Sequence, residues 1–154
     1  MSINTAMNEK EADRENNGLE AKDNSTIENN RGKRKKVVLF YTSISALVEN
    51  RKTAIEKLKN VFALFKENKD DILLYYHPDP AIFRFLEEKD SELFNEFLGV
   101  VNQFIEEDYG VYDDGEDDTF MVRLCDAYYG DNGYVMYHCM RAKKPVMVMN
   151  YECL

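Results

Sequence analysis

Two hydrophobic rhythms alternate along this chain. Continuous apolar or aromatic runs occur at Val37–Tyr41, Ile72–Tyr76, Gly110–Tyr112, Asp126–Tyr129 and Val146–Met149. Runs this short, without a polar face, read as strands buried on both sides. Between them the apolar residues return at helical spacing. Ala54, Ile55, Leu58, Val61, Phe62, Leu64 and Phe65 define a helix over 50–68. Leu93, Phe94, Phe97, Leu98, Val101, Phe104 and Ile105 define another over 91–108. Shorter helices are predicted at 81–88, 119–124 and 135–141.

Strands alternating with helices predict an α/β fold. The expected form is a Rossmann-like three-layer sandwich with a five-stranded, mostly parallel sheet of order 3-2-1-4-5. Its switch point lies between the first and fourth strands, so ligands are expected at the carboxyl ends of those strands. The folded domain spans 36–154. Residues 1–35 form a polar tail without an apolar period and are expected to be disordered. The tail ends in the basic run Arg31–Lys36, which is either a contact for acidic partners or RNA or a solvated lead-in to the first strand.

Turn chemistry punctuates the pattern. Thr42–Ser45 offers a helix N-cap, and the prolines of His77-Pro78-Asp79-Pro80 stop the second strand. Gly130-Asp131-Asn132-Gly133 supplies two glycines for a tight turn, with Asp131 or Asn132 as N-cap of the following helix.

The formal net charge of −9 over 154 residues argues against general nucleic-acid binding, which needs a basic face. There is no apolar run long enough for a transmembrane helix and no signal-peptide pattern at the N-terminus. Three cysteines without a C-x-x-C pair fit a reducing compartment, so a cytoplasmic location is expected.

The polar clusters all follow strand ends: Thr42–Ser45, His77, Asp113-Asp114, Asp131–Gly133 and Asn150–Glu152. His77 can bind a phosphate or act as acid or base, or it can be a loop histidine bonded to backbone. Asp131, Asn132 and Gly133 can place amides around a diphosphate or hold a ribose, or serve simply as turn and cap. Adjacent residues on a helix point apart, so His138, Cys139 and Cys125 do not make a metal site. The acidic loop 113–118 reads as solvated, and its spacing is not that of a calcium loop. Tyr75-Tyr76 and Tyr128-Tyr129 can stack on a base or pack a core. Nothing calls for a cofactor or a metal.

Val37–Asn50 (VVLFYTSISALVEN), Ile72–Pro78 (ILLYYHP), Cys125–Asp131 (CDAYYGD) and Lys144–Asn150 (KPVMVMN) resemble the C-terminal half of bacterial CDP-glycerol glycerophosphotransferase-like proteins. These enzymes of cell-wall polymer synthesis belong to the GT-B glycosyltransferase architecture. The resemblance implies a donor-binding domain that takes a nucleotide-diphosphate donor, a CDP-polyol or nucleotide sugar, and needs a separate acceptor-domain protein for transfer. It implies His77 as the catalytic group and Asp131, Asn132 and Gly133 as the holders of the diphosphate. Ser43, Ser45, Asn150 and Glu152 are expected as further donor contacts from their places after strand ends. The family's Asp-x-Ser-Ser turn matches Asp131 and Asn132, with Gly133 and Tyr134 in place of the serines. Tyr76 stands where a basic residue usually precedes the histidine. Two functions follow: a truncated transferase half, or a non-catalytic, diverged nucleotide-binding or protein-interaction module. Both expect imidazole 77 and the 131–133 bend to share one rim, with a nucleotide-sized groove between them.

Overall fold

The computed structural model describes residues 27–29 and 31–152. Residues 1–26, most of the tail expected to be disordered, lie outside the described residues, as does Cys153. Among the described residues before residue 36, Glu28 and Arg34 form an isolated antiparallel bridge. The segment between them is tied by Asn29, whose Oδ1 accepts from the amides of Arg31 and Lys33 at 2.9 Å each.

From residue 36 onward the described chain is the predicted α/β sandwich. Its strands are β1 (Lys36–Thr42), β2 (Ile72–Pro78), β3 (Gly110–Tyr112), β4 (Ala127–Gly130) and β5 (Val146–Val148). Its helices are α1 (Ile44–Glu67), α2 (Ile82–Lys89), α3 (Ser91–Glu107), α4 (Thr119–Leu124) and α5 (Tyr134–Arg141). All four strand pairings are parallel, in the order β3-β2-β1-β4-β5.

Side chains alternate across the sheet, so each strand feeds two cores. Phe40, Leu74 and Tyr76 enter the core under α1, α2 and α3. There Phe62 stacks on Phe104 at 4.6 Å and meets Tyr76 edge-on at 5.0 Å. Val37, Leu39, Tyr41, Tyr75 and Tyr128 occupy the other face and are buried as well; α4 packs against β1 there, and α5 against β4. The tyrosine pairs are therefore largely core: Tyr75, Tyr76 and Tyr128 are buried and Tyr129 partly so.

Several local expectations need correction. Strand β2 runs through Pro78, whose missing N–H costs nothing at the last position of a strand. Helix α1 begins at residue 44, not 50, because it contains a kink at Arg51 (φ 45°, ψ −115°) that joins two helical segments. Leu64 breaks the α1 stripe and is exposed. The N-cap of α3 is Asp90, whose carboxylate accepts from the Leu93 amide at 3.1 Å. Strand β5 is not buried on both faces: it is a sheet edge, with Met147 and Val148 exposed. An apolar run by itself does not distinguish an edge strand from a central one. Among the described residues, no helix is long and apolar enough to cross a membrane.

Candidate functional site

Strand register sets the site. Tyr41 pairs with His77 on one side and with Gly130 on the other, so the loops after β1, β2 and β4 share the carboxyl rim. At this rim the chain leaves β1 and β4 toward helices in opposite layers, the arrangement that opens a crevice at a switch point.

Asp131 is the best-anchored group there. Its carboxylate is buried, yet Oδ2 accepts from the Ser43 amide at 2.7 Å and Oδ1 from the Tyr151 hydroxyl at 2.6 Å. Its own N–H donates to the Tyr41 carbonyl at 3.0 Å, and its carbonyl accepts from the Tyr128 hydroxyl. Burial pushes the Asp131 carboxyl above the usual aspartate range, against the hydrogen bonds from Tyr151 and Ser43 that favour its charge. Asp131 therefore does not cap α5. It sits at the start of α1, where a helix N-terminus attracts an anion, and it occupies the place a phosphate would take there. Two further amides of that turn are engaged: Ala46 donates to the Ser43 hydroxyl at 3.2 Å and Leu47 to the Ser43 carbonyl at 3.3 Å. Ser43 is thus the N-cap of α1, and its hydroxyl lies 3.4 Å from that of Ser45.

The α5 terminus is different. Its N-cap is Gly133, with no side-chain hydrogen bond, so neither Asp131 nor Asn132 caps it. Gly133 lies against the Tyr41 ring, where a Cβ would stand 2.9 Å from Cε1. Gly130 has φ +151°, and a Cβ there would stand 2.3 Å from the Tyr41 carbonyl oxygen. Gly130 is required by the close approach of the β1 backbone, and Gly133 leaves room for the Tyr41 ring.

His77 shares the rim but is sealed from solvent. Its Nδ1 lies 2.6 Å from the Asp113 carbonyl oxygen. A carbonyl only accepts, so Nδ1 carries the proton and Nε2 is left as an acceptor without a partner, buried. Asp113 is held in turn by Tyr75, whose hydroxyl donates to Oδ2 at 2.6 Å. The Tyr41 ring lies 5.9 Å from the imidazole and also touches the Gly133 position. It fills the space between His77 and the 131–133 bend. The nucleotide-sized groove expected between those two corners is therefore absent, and a tyrosine takes its place.

A groove of about 530 Å³, with Tyr41 in its wall, opens over the start of α1. It is lined by Tyr41, Ser43, Ile44, Ser45, Val48, Glu49, Asp79, Phe85 and Asn132. Of the residues singled out from sequence, Ser43, Ser45 and Asn132 meet here. Asp131 and Gly133 support the groove from behind, and His77 does not line it. Asn150 and Glu152 do not line it either; both are exposed, and the Asn150 carboxamide accepts from the Glu152 amide at 2.8 Å. Tyr151 between them is the residue that reaches the rim.

Sequence reasoning missed Glu49, Asp79 and Phe85 on the groove and Tyr151 behind it. Asp79 lies between two prolines, and its oxygens accept from the Tyr41 hydroxyl at 3.1 Å and the Ala81 amide at 2.9 Å. The surroundings are acidic. The Tyr134 phenol is pushed up to about 12, first by burial and then by Asp79, Asp118 and Glu116. His138, weighed above beside Cys125 and Cys139, contacts the Asp118 carboxylate at 2.5 Å, while both cysteines are buried. No group of three or more metal-ligating side chains comes together among the described residues.

Compared with known proteins, the chain matches no family model, no curated protein and no solved structure.

Proposed function

We propose that this chain is a diverged, non-catalytic donor-binding module of the GT-B type, holding one end of a nucleotide-linked donor in the groove between Ser43 and Asn132. The single observation that carries this reading is the groove's position. It lies at the carboxyl ends of β1 and β4, where the strand order reverses, and ligands of doubly wound sheets bind there. Its volume falls within the range of about 300–1,000 Å³ typical of small-molecule sites. Hydroxyls from Ser43 and Ser45 and the amide of Asn132 supply the few polar contacts such sites use for orientation.

Two features favour binding without transfer. His77, the group the transferase resemblance would make catalytic, is enclosed by Tyr41 and the Asp113 loop. The helix start that would hold a phosphate near Ser43 already carries Asp131. A partner half docking from outside would still find the imidazole sealed. The expected activity of the isolated chain is therefore binding only.

Calorimetric titration with CDP-glycerol, CDP and UDP tests this. Binding to at least one of them, weakened by Ser45→Trp, which fills the groove, and retained in His77→Leu, is the expected result. No heat at millimolar ligand removes the reading, and so does binding that survives Ser45→Trp but is lost in His77→Leu.

A further inference from the structure

The groove is built for a charge opposite to that of a diphosphate. Glu49 and Asp79 both line it, and no lining residue is a lysine, arginine or histidine. Asp79 is fixed: the Tyr41 hydroxyl and the Ala81 amide each donate to one of its oxygens. Each carboxylate oxygen has a further lone pair to offer. Glu49 is exposed and lies one helical turn after Ser45 on α1, so the two face the same side. The walls are aromatic and aliphatic, with Tyr41, Phe85, Ile44 and Val48. Carboxylates beside aromatic faces are the surroundings that recognise an ammonium ion. At the α1 terminus the Ser43 amide is turned away from the groove's contents, since it donates to the Asp131 side chain.

The Tyr41 phenol records the same field. Burial raises its pKa well above the ordinary tyrosine range, and Asp79 is the next cause.

We propose that the donor end entering this groove carries an ammonium group, as in an amino alcohol or amino sugar, and that Glu49 and Asp79 select it. The serine hydroxyls and Asn132 then take the neighbouring hydroxyl or ether oxygens of the same moiety. This proposal rests on the reading that the groove binds a nucleotide-linked donor, and it names the chemistry of the bound group.

Two probes separate the two readings: CDP-ethanolamine, which ends in an ammonium, and CDP-glycerol, which ends in neutral hydroxyls. Both are titrated calorimetrically into the full chain at low salt. The expected result is that CDP-ethanolamine binds about tenfold more tightly, about 1.4 kcal/mol. In Glu49→Gln and in Asp79→Asn the two affinities are expected to converge. Glu49 is on the surface, so its variant folds, and circular dichroism checks Asp79→Asn. Equal affinities in the unaltered chain overturn the ammonium proposal and leave the donor-binding reading standing. A preference that survives both substitutions overturns it too. Failure of both probes to bind overturns the ammonium proposal, and it overturns the donor-binding reading as well when CDP and UDP also give no heat.

Discussion

Asp131 and His77 stand on one rim, each at the end of a buried strand, and the fold treats them in opposite ways. The carboxylate is buried with both oxygens engaged, one by the Ser43 amide and one by the Tyr151 hydroxyl, and the residue's own carbonyl accepts from the Tyr128 hydroxyl. The imidazole is buried with one nitrogen bonded and the other without a partner. The first is a latch: it joins the start of α1, the β4 turn and the segment after β5. The second holds only the loop that follows β3. Sharing a sheet edge and a polar identity therefore does not give two residues the same role. The number of partners each finds on burial decides it.

The largest way to break the latch is through the backbone that aims it. Gly130→Ala places a Cβ 2.3 Å from the Tyr41 carbonyl at φ +151°. The expected loss is about 4 kcal/mol or more, read from urea denaturation. Asp131→Ala comes next. It strips the acceptor from the buried Ser43 amide and from the Tyr151 hydroxyl, with an expected cost of about 3 kcal/mol by the same measurement.

Titration sharpens the contrast. The Asp131 carboxyl is raised in the fold, chiefly by burial, so the folded state holds its proton more tightly than the unfolded state. Its contribution is fully present below the ordinary aspartate value of 3.8 and is lost as pH rises through the raised value. The stability difference between the unaltered chain and Asp131→Asn should therefore shrink or reverse in the chain's disfavour as pH increases from that point. Paired denaturation curves across the carboxylate range check the sign.

The smallest effect is expected at His77. His77→Leu removes one hydrogen bond and one unsatisfied buried nitrogen together, so the two losses oppose each other. Stability should change by less than about 1 kcal/mol. A cost as large as that of Asp131→Ala would show that Nε2 has a partner of its own.

The strands and helices were legible because each states its own pattern locally, and the sheet order then followed from their alternation and the right-handed crossover rule. Unbroken runs such as Val37–Tyr41 and stripes such as Leu93–Phe104 state their period within a few turns of chain. The exposure of Met147 and Val148 was not legible, since what lies beside an edge strand is a property of the whole sheet. At the site, Ser43, Ser45 and Asn132 could be picked out because they follow strand ends. The Asp131 latch could not. It joins residues 88 apart in sequence, and a capping aspartate looks the same whichever helix it caps. The place of Tyr41 between those corners was hidden for a related reason: it reads as one more apolar strand residue until the register sets it beside both His77 and Gly130.

Mapping amide and imidazole NMR shifts during titration with CDP-glycerol tests the central claim most directly. Movement is expected first at Ser45, Val48, Phe85 and Asn132, with the His77 ring unchanged to saturation. Early shifts at His77 and Asp113, with the groove residues still, would contradict a groove over the start of α1.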